Sequence, residues 1–179
     1  MSTWSETMIA RAISLQTLQR KCVVLVPNCS WTGHECDVLA VTTDLRVIDV
    51  EVKISRADLK ADARKDKWWH RPMGGHYEPD PAGGKRWVWD AAAPREWPPK
   101  VWKHYYAMPK DLWDEALFAC LPSPRSGVLL LEQRPSASVP VLVKCERRAA
   151  PNRDATRLTA AQALDVARLA NLRMWSAYS

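Results

Sequence analysis

The chain is short of several things, and each shortage narrows what it can be. It holds one Phe and six Gly. No apolar run approaches the ~20 residues that a bilayer span needs, so no membrane association is expected. Five cysteines are an odd count, and no signal peptide precedes them. That argues against the disulfide framework of a small secreted fold and predicts reduced thiols in a cytoplasmic protein. There is no internal repeat.

What is present suits one domain spanning residues 1–179, long enough to bury a real core. Hydrophobic residues make up 47% and charged residues 26%, as in ordinary globular proteins. The formal net charge of +6 favours a polyanionic partner. The unusual count is ten Trp.

Thr3 and Glu6 form a capping-box pattern ahead of a first helix that should end near Arg20 or Lys21. Apolar strands are expected at 22–27, 36–42 and 46–54, the last two joined by a tight hairpin. Ser55 should cap a second helix over 56–68. From Arg71 to Pro99 there are six prolines and four glycines and no sustained period, so 70–100 reads as a Trp/Pro/Gly-rich insertion. A strand at 101–109, a short helix at 110–121, strands at 127–133 and 139–146, and a helix from Thr159 to Trp175 complete the order. Gln162 supplies a second capping box. This pattern predicts an α/β (α+β) domain around a mixed sheet.

The segment RVIDVEVKIS, residues 46 to 55, carries the chemistry. Its β-branched residues alternate with Asp49, Glu51 and Lys53, so one face is apolar and the other charged. If Thr42 and Arg46 close a three-residue loop, paired positions sum to 88, which sets Asp37 opposite Glu51. Two facing carboxylates repel unless a cation lies between them. Glu6 shares a helical stripe with Ile9 and Ile13. It is either a third carboxylate facing the core or the partner of Thr3 in the capping box. Glu6, Asp37 and Glu51 would suit Mg²⁺ or Mn²⁺, which prefer hard oxygen ligands. Lys53 on the same face would stabilise a phosphorane-like transition state or position the attacking water.

This arrangement of Glu6, Asp37 and Glu51-Val52-Lys53 resembles the PD-(D/E)XK nuclease superfamily. More narrowly, EVKISRADLKADARKDKW, HYYAMP and SGVLLLE resemble the MmcB-like DNA-repair endonucleases. The resemblance covers most of residues 3–175, and residues 70–100 depart from it. It implies a restriction-endonuclease-like αβββαβ core, its mixed sheet flanked by helices, and metal-dependent hydrolysis of DNA, in repair or recombination. By that match Asp37, Glu51 and the Val52 carbonyl are metal ligands, Lys53 is the catalytic lysine, and Glu6 is the accessory acid. Similar spacing in Holliday-junction resolvases leaves a structure-specific, homodimeric enzyme open. A catalytically silent nucleic-acid- or protein-binding module remains a further alternative.

Arg56, Lys60, Arg64 and Lys67 recur at helical spacing and are expected on one face of the second helix. There, with Lys65 and Arg71 adding to the face and Asp58, Asp62 and Asp66 on other faces, they would hold phosphates or be plain surface with i,i+4 ion pairs. Cys22, Cys29, His34 and Cys36 fit no paired zinc-knuckle spacing, and Cys36 is expected on the apolar strand face as a small buried hydrophobe. His70, His76 and His104 receive no role. Most of the insertion's Trp side chains are expected in a satellite hydrophobic cluster, with stacking on unpaired bases or self-association as alternatives.

Overall fold

A computed structural model describes residues 4–134 and 140–176. Its centre is a six-stranded mixed sheet. Numbering only the strands of that sheet, these are β1 (Cys22–Cys29), β2 (Cys36–Thr42), β3 (Val47–Val52), β4 (Lys103–Pro109), β5 (Gly127–Gln133) and β6 (Val141–Arg147), lying side by side in chain order. The first three form an antiparallel meander. β4 runs parallel to β3, β5 parallel to β4, and β6 returns antiparallel. Pro27 is tolerated because β1 is an edge strand and need donate only on one side.

The β2–β3 hairpin has the register expected of a three-residue loop. Val38 pairs with Val50, Leu39 with Asp49, Ala40 with Ile48 and Val41 with Val47. Leu45 takes a left-handed φ of 61° to close the turn, and Thr42 N–H donates to Arg46 O at 2.9 Å.

α1 (Glu6–Ile13) starts two residues later than a cap at Thr3 would set it. Ser5 is the cap and its hydroxyl accepts from Met8 N–H at 3.2 Å, which makes Glu6 the first helical residue. Thr3 lies outside the described residues. The helix runs on through a π turn, Ser14–Leu18. Ile9 and Ile13 bury against Val38, Ala40, Val50, Val52, Leu129 and Leu131 on one face of the sheet. α2 covers only Arg56–Ala61, capped by Ser55 as expected, and then breaks into 3₁₀ turns at Asp62–Arg64 and Asp66–Trp68. Trp68, Tyr106, Met108, Leu117 and Leu130 form the opposite layer. α3 (Ala160–Ser176) packs Val166 with Val26, Leu39, Val41 and Val47. Its cap is reciprocal: Gln162 N–H donates to Thr159 Oγ1, and Thr159 N–H to Gln162 Oε1.

Two other segments differ from expectation. Residues 110–121 form 3₁₀ turns, Lys110–Leu112 and Glu115–Cys120. The insertion is a β-ribbon, Gly75–Pro79 paired with Lys85–Trp89, above a short pairing of 69–70 with 93–94. Of the expected strand 139–146, Val139 lies outside the described residues. Among the described residues, no helix is long and apolar enough to cross a membrane.

Gly127 lets β5 approach β4. A Cβ there would collide with the Tyr105 ring and come within 2.6 Å of Ala149 N. Gly127→Ala is therefore expected to cost about 1–3 kcal/mol, read from the urea midpoint. An unchanged midpoint would mean that this approach carries no constraint.

Candidate functional site

β3 is covered on both faces, and all six of its residues are buried. Its charged row therefore does not meet water. Asp49 is 0% and Glu51 1% exposed, and Lys53, just beyond the strand, is 2%. Charge in that position is tolerated only if it is matched.

The match comes from Lys53 and from the segment that interrupts α2. Glu51 Oε2 accepts from Lys53 Nζ and from Lys65 Nζ, each at 3.0 Å, and Oε1 from Lys67 Nζ at 2.6 Å. Asp62 Oδ2 accepts from the Trp68 indole at 3.0 Å and from the Tyr106 hydroxyl. Asp62 Oδ1 lies 3.1 Å from Lys53 Nζ and 2.9 Å from Lys65 Nζ, as ion contacts without hydrogen-bond alignment. Lys67 Nζ also reaches to 3.7 Å from Asp49. Three carboxylates thus face three ammonium groups. Burial alone would raise the Glu51 carboxyl. The Lys67 ammonium, with Lys53 behind it, outweighs both that and the Asp49 charge, and holds the carboxyl below its ordinary value. Asp62 is likewise held well down, against burial, by Lys67 and Lys53.

Asp37 lies at the edge of this network. The β2–β3 ladder stops at Val38, and the Asp37 carboxylate takes the next donor instead: Val52 N–H gives its hydrogen to Oδ2 at 2.6 Å. Asp37 consequently does not stand across from Glu51 as a side-by-side pair on one sheet face. It lines a small cleft of about 100 Å³ with Glu6, Thr7, Ala10, Pro27, Asn28 and Val52. Burial, followed by the Glu51 charge, pushes its carboxyl up to about 6. Glu51 is thus held ionised by its lysines while Asp37 resists ionising beside it, so a cation placed near Asp37 would relieve the carboxylate that is least stabilised.

Four expected site residues thus gather at the end of β3: Asp37, Glu51, Val52 and Lys53. Glu6 lines the same cleft, but on the exposed side of α1 and not toward the core. The expected basic stripe is broken. Arg56, Lys60 and Arg64 are exposed, with Arg56 donating to Leu112 O at 2.7 Å. Lys67 is buried within the carboxylate network, because the turn at Lys65 directs it inward. Asp62 and Lys65, read from the sequence as surface charges on a continuous helix, prove central. Asp49 and His104 also belong to this buried layer; the alternation on β3 already marked Asp49.

The network separates two lysines by their exposure. Lys67→Met is expected to destabilise the fold by about 3–5 kcal/mol, since it strands buried Asp49 and Glu51 charge. Lys65→Met, whose side chain is 47% exposed, should cost about 1 kcal/mol or less. Equal losses in chemical denaturation would contradict this. Asp37 gives a pH test. Its folded value lies above the ordinary one, so its stabilising contribution is complete below about pH 4 and is lost as pH rises through about 6. Asp37→Asn keeps an acceptor for Val52 N–H without titrating. It should be more stable than wild type by ~1 kcal/mol at pH 8, after discounting for solvent screening, and equal to it near pH 4. A gain of the same size at both pH values would rule out this origin.

No family model and no curated protein matches the chain. A solved structure described as "SPO1766 protein of unknown function from Silicibacter pomeroyi" is similar over 99% of this chain and 91% of its own, at 14% identity and a TM-score of 0.55. That likeness is one of fold alone.

Proposed function

We propose that this protein is a metal-dependent nuclease hydrolysing phosphodiester bonds in DNA, on a restriction-endonuclease-like αβββαβ core. One observation carries the reading: Asp37, Glu51 and Lys53 converge around Val52 at the end of a buried strand, beside a cleft that also holds Glu6. A buried charged network costs desolvation, and a well-packed apolar one would often serve the fold as well. Glu51 and Lys53 flank Val52, which lines the cleft with Asp37, and that placement favours a functional origin.

Asp37, Glu51, the Val52 carbonyl and Glu6 would hold Mg²⁺ or Mn²⁺, a hard-oxygen donor set that suits either ion. When bound, the ion supplies a water of lowered pKa and neutralises charge on the scissile phosphate. The remaining work falls to the chain's own groups. Asp62 and Glu51 fix the Lys53 ammonium from two sides, ready to orient the nucleophile or stabilise developing charge. Lys65 shares Glu51 Oε2 with Lys53 and must leave it when another cation arrives. Its half-exposed side chain makes it the ammonium free to do so.

Arg56, Lys60 and Arg64 would hold backbone phosphates. The ribbon adds aromatic surface. Tyr77, Trp87 and Trp89 stack edge to face at 4.9 and 5.9 Å, and Trp89 is 68% exposed, next to Lys85 and Arg86. That is not the satellite cluster expected of the insertion, and it is suited to stacking on unpaired bases.

A second reading has its own observation. Both Glu51 oxygens are already taken by lysines, as a catalytically silent binding module would have them. Wild type and Glu51→Ala, run with EDTA, Mg²⁺ or Mn²⁺ on linear duplex, single-stranded, nicked and four-way-junction DNA, separate the two. Cleavage that needs metal and falls by ~10²–10³-fold or more in the variant is expected. DNA binding without cleavage by either protein would favour the module, and a junction preference with a dimer in sedimentation would favour a resolvase. Trp87→Ala and Trp89→Ala should each weaken single-stranded DNA binding by roughly fivefold or more, about 1 kcal/mol or above per stacked base. Unchanged anisotropy titrations would remove the ribbon from the interface.

A further inference from the structure

Next to the carboxylate–lysine network, on the β1–β2 side, lies a group of side chains with a different chemistry. The strand alternation inverts where the β2–β3 ladder ends. Val38 and Ala40 face α1, yet Cys36 packs with Leu39 and Val41 on the other face, beside Asp49. The Ser30–Gly33 turn, closed by Gly33 N–H to Ser30 O at 3.0 Å with Gly33 at a φ of 99°, brings His34 back over the same spot. His34 Nε2 stands 3.1 Å from Asp49 Oδ2. The ligand-type atoms of His34, Cys36 and Asp49 all lie within 4.8 Å of one another. From β4, His104 Nε2 approaches Asp49 Oδ2 to 3.8 Å.

Two atoms of this group are left over. Asp49 Oδ1 and His104 Nε2 are buried and have no hydrogen-bond partner. Orphaned groups of this kind cost free energy and ask for an explanation. The His104 ring is fixed edge-on between Trp68 and Tyr106, at 4.8 and 4.7 Å. Its Nδ1 stands 3.0 Å from Ser126 Oγ, the kind of contact that a metal-bound imidazole makes through its other nitrogen.

We propose that His34, Cys36, Asp49 and His104 form a site for a four-coordinate transition-metal ion of the zinc class. With metal–ligand bonds of about 2.0–2.3 Å, tetrahedral ligands stand roughly 3.3–3.7 Å apart. The His34, Cys36 and Asp49 atoms, all within 4.8 Å of one another, need only a modest contraction to meet that, and His104 Nε2, 3.8 Å from Asp49, would close in as the fourth ligand. Thiolate, imidazole and carboxylate together select zinc or cobalt over magnesium. The charges balance: a carboxylate and a thiolate meet a dication, and the Cys36 thiol proton passes to solvent. Lys67, 3.7 Å from Asp49, stays neutralised by its shorter contact with Glu51 Oε1. The ion would tie the β1–β2 loop to β3 and β4, and would hold Asp49 two residues from Glu51. The site stands independently of the nuclease reading, since it uses neither Asp37 nor Glu51.

The test uses the full chain, stripped with chelator and titrated with Co²⁺ at neutral pH. Wild type should bind one equivalent that carries a thiolate-to-cobalt charge-transfer band and the strong visible bands of four-coordination, both erased by added Zn²⁺. Cys36→Ser should lose the charge-transfer band. Cys36→Ser and His34→Ala should each weaken binding at least tenfold, while Cys145→Ser, at an exposed free cysteine, leaves the charge-transfer band unchanged. Circular dichroism of the metal-free variants checks their fold. The wild-type spectrum decides without any variant: cobalt bound with no charge-transfer band, or no cobalt bound, overturns the proposal. So does a charge-transfer band that survives in Cys36→Ser, which would assign it to another cysteine.

Discussion

The structure depends on placing Asp49 and Glu51 on a strand that both layers cover. Ionised carboxylates in that position must be matched by cations or they would not stay charged. Apart from Lys53, at the end of the strand itself, the matching groups come from one short segment, Asp62 to Trp68. To deliver Lys65 and Lys67 inward and to seat Asp62 under Tyr106 and Trp68, the chain cannot remain an α-helix there. The break after Ala61, the extended residue Lys65 and the second 3₁₀ turn are local consequences of electrostatics at the strand.

The same constraint shapes the other side of β3. Where the ladder ends, Asp37 and Cys36 part. Asp37 turns toward α1 and caps Val52 N–H, while Cys36 turns toward Asp49. Two chemically distinct environments therefore meet at the end of one strand. One is built from carboxylates and ammonium groups and suits hard cations and phosphates. The other carries sulfur and imidazole. His104, with its imidazole pushed down to about 4, mainly by burial and then by the Lys67 charge, belongs to the second as a neutral base.

Much of this was legible in residue order. The hairpin register followed from matching apolar faces across a three-residue loop, because a shift by one would have reversed every side chain. That register also put Glu51 and Lys53 on one face, whereas Asp37, which it set opposite Glu51, turns to Val52 N–H where the ladder stops; the second capping box followed from Thr159 and Gln162. Other features depend on tertiary contacts that no local period reports. Lys67 has the spacing of a surface stripe, and only the buried carboxylates explain why it points inward. Cys36 obeys strand alternation on paper and escapes it where pairing ends. The ribbon at 75–89 was hidden by its glycines and prolines, which mask a hairpin of only five residues per strand.

The central claim is that the end of β3 accepts a divalent cation, and is not merely a closed clasp of ion pairs. The most direct measurement is the anomalous difference map of crystals soaked in Mn²⁺. The account predicts a peak against Asp37 and Glu51, with Lys65 released from Glu51 Oε2 and Lys53 retained. Full soaking with no peak there, and all three lysines still on Glu51, would contradict it.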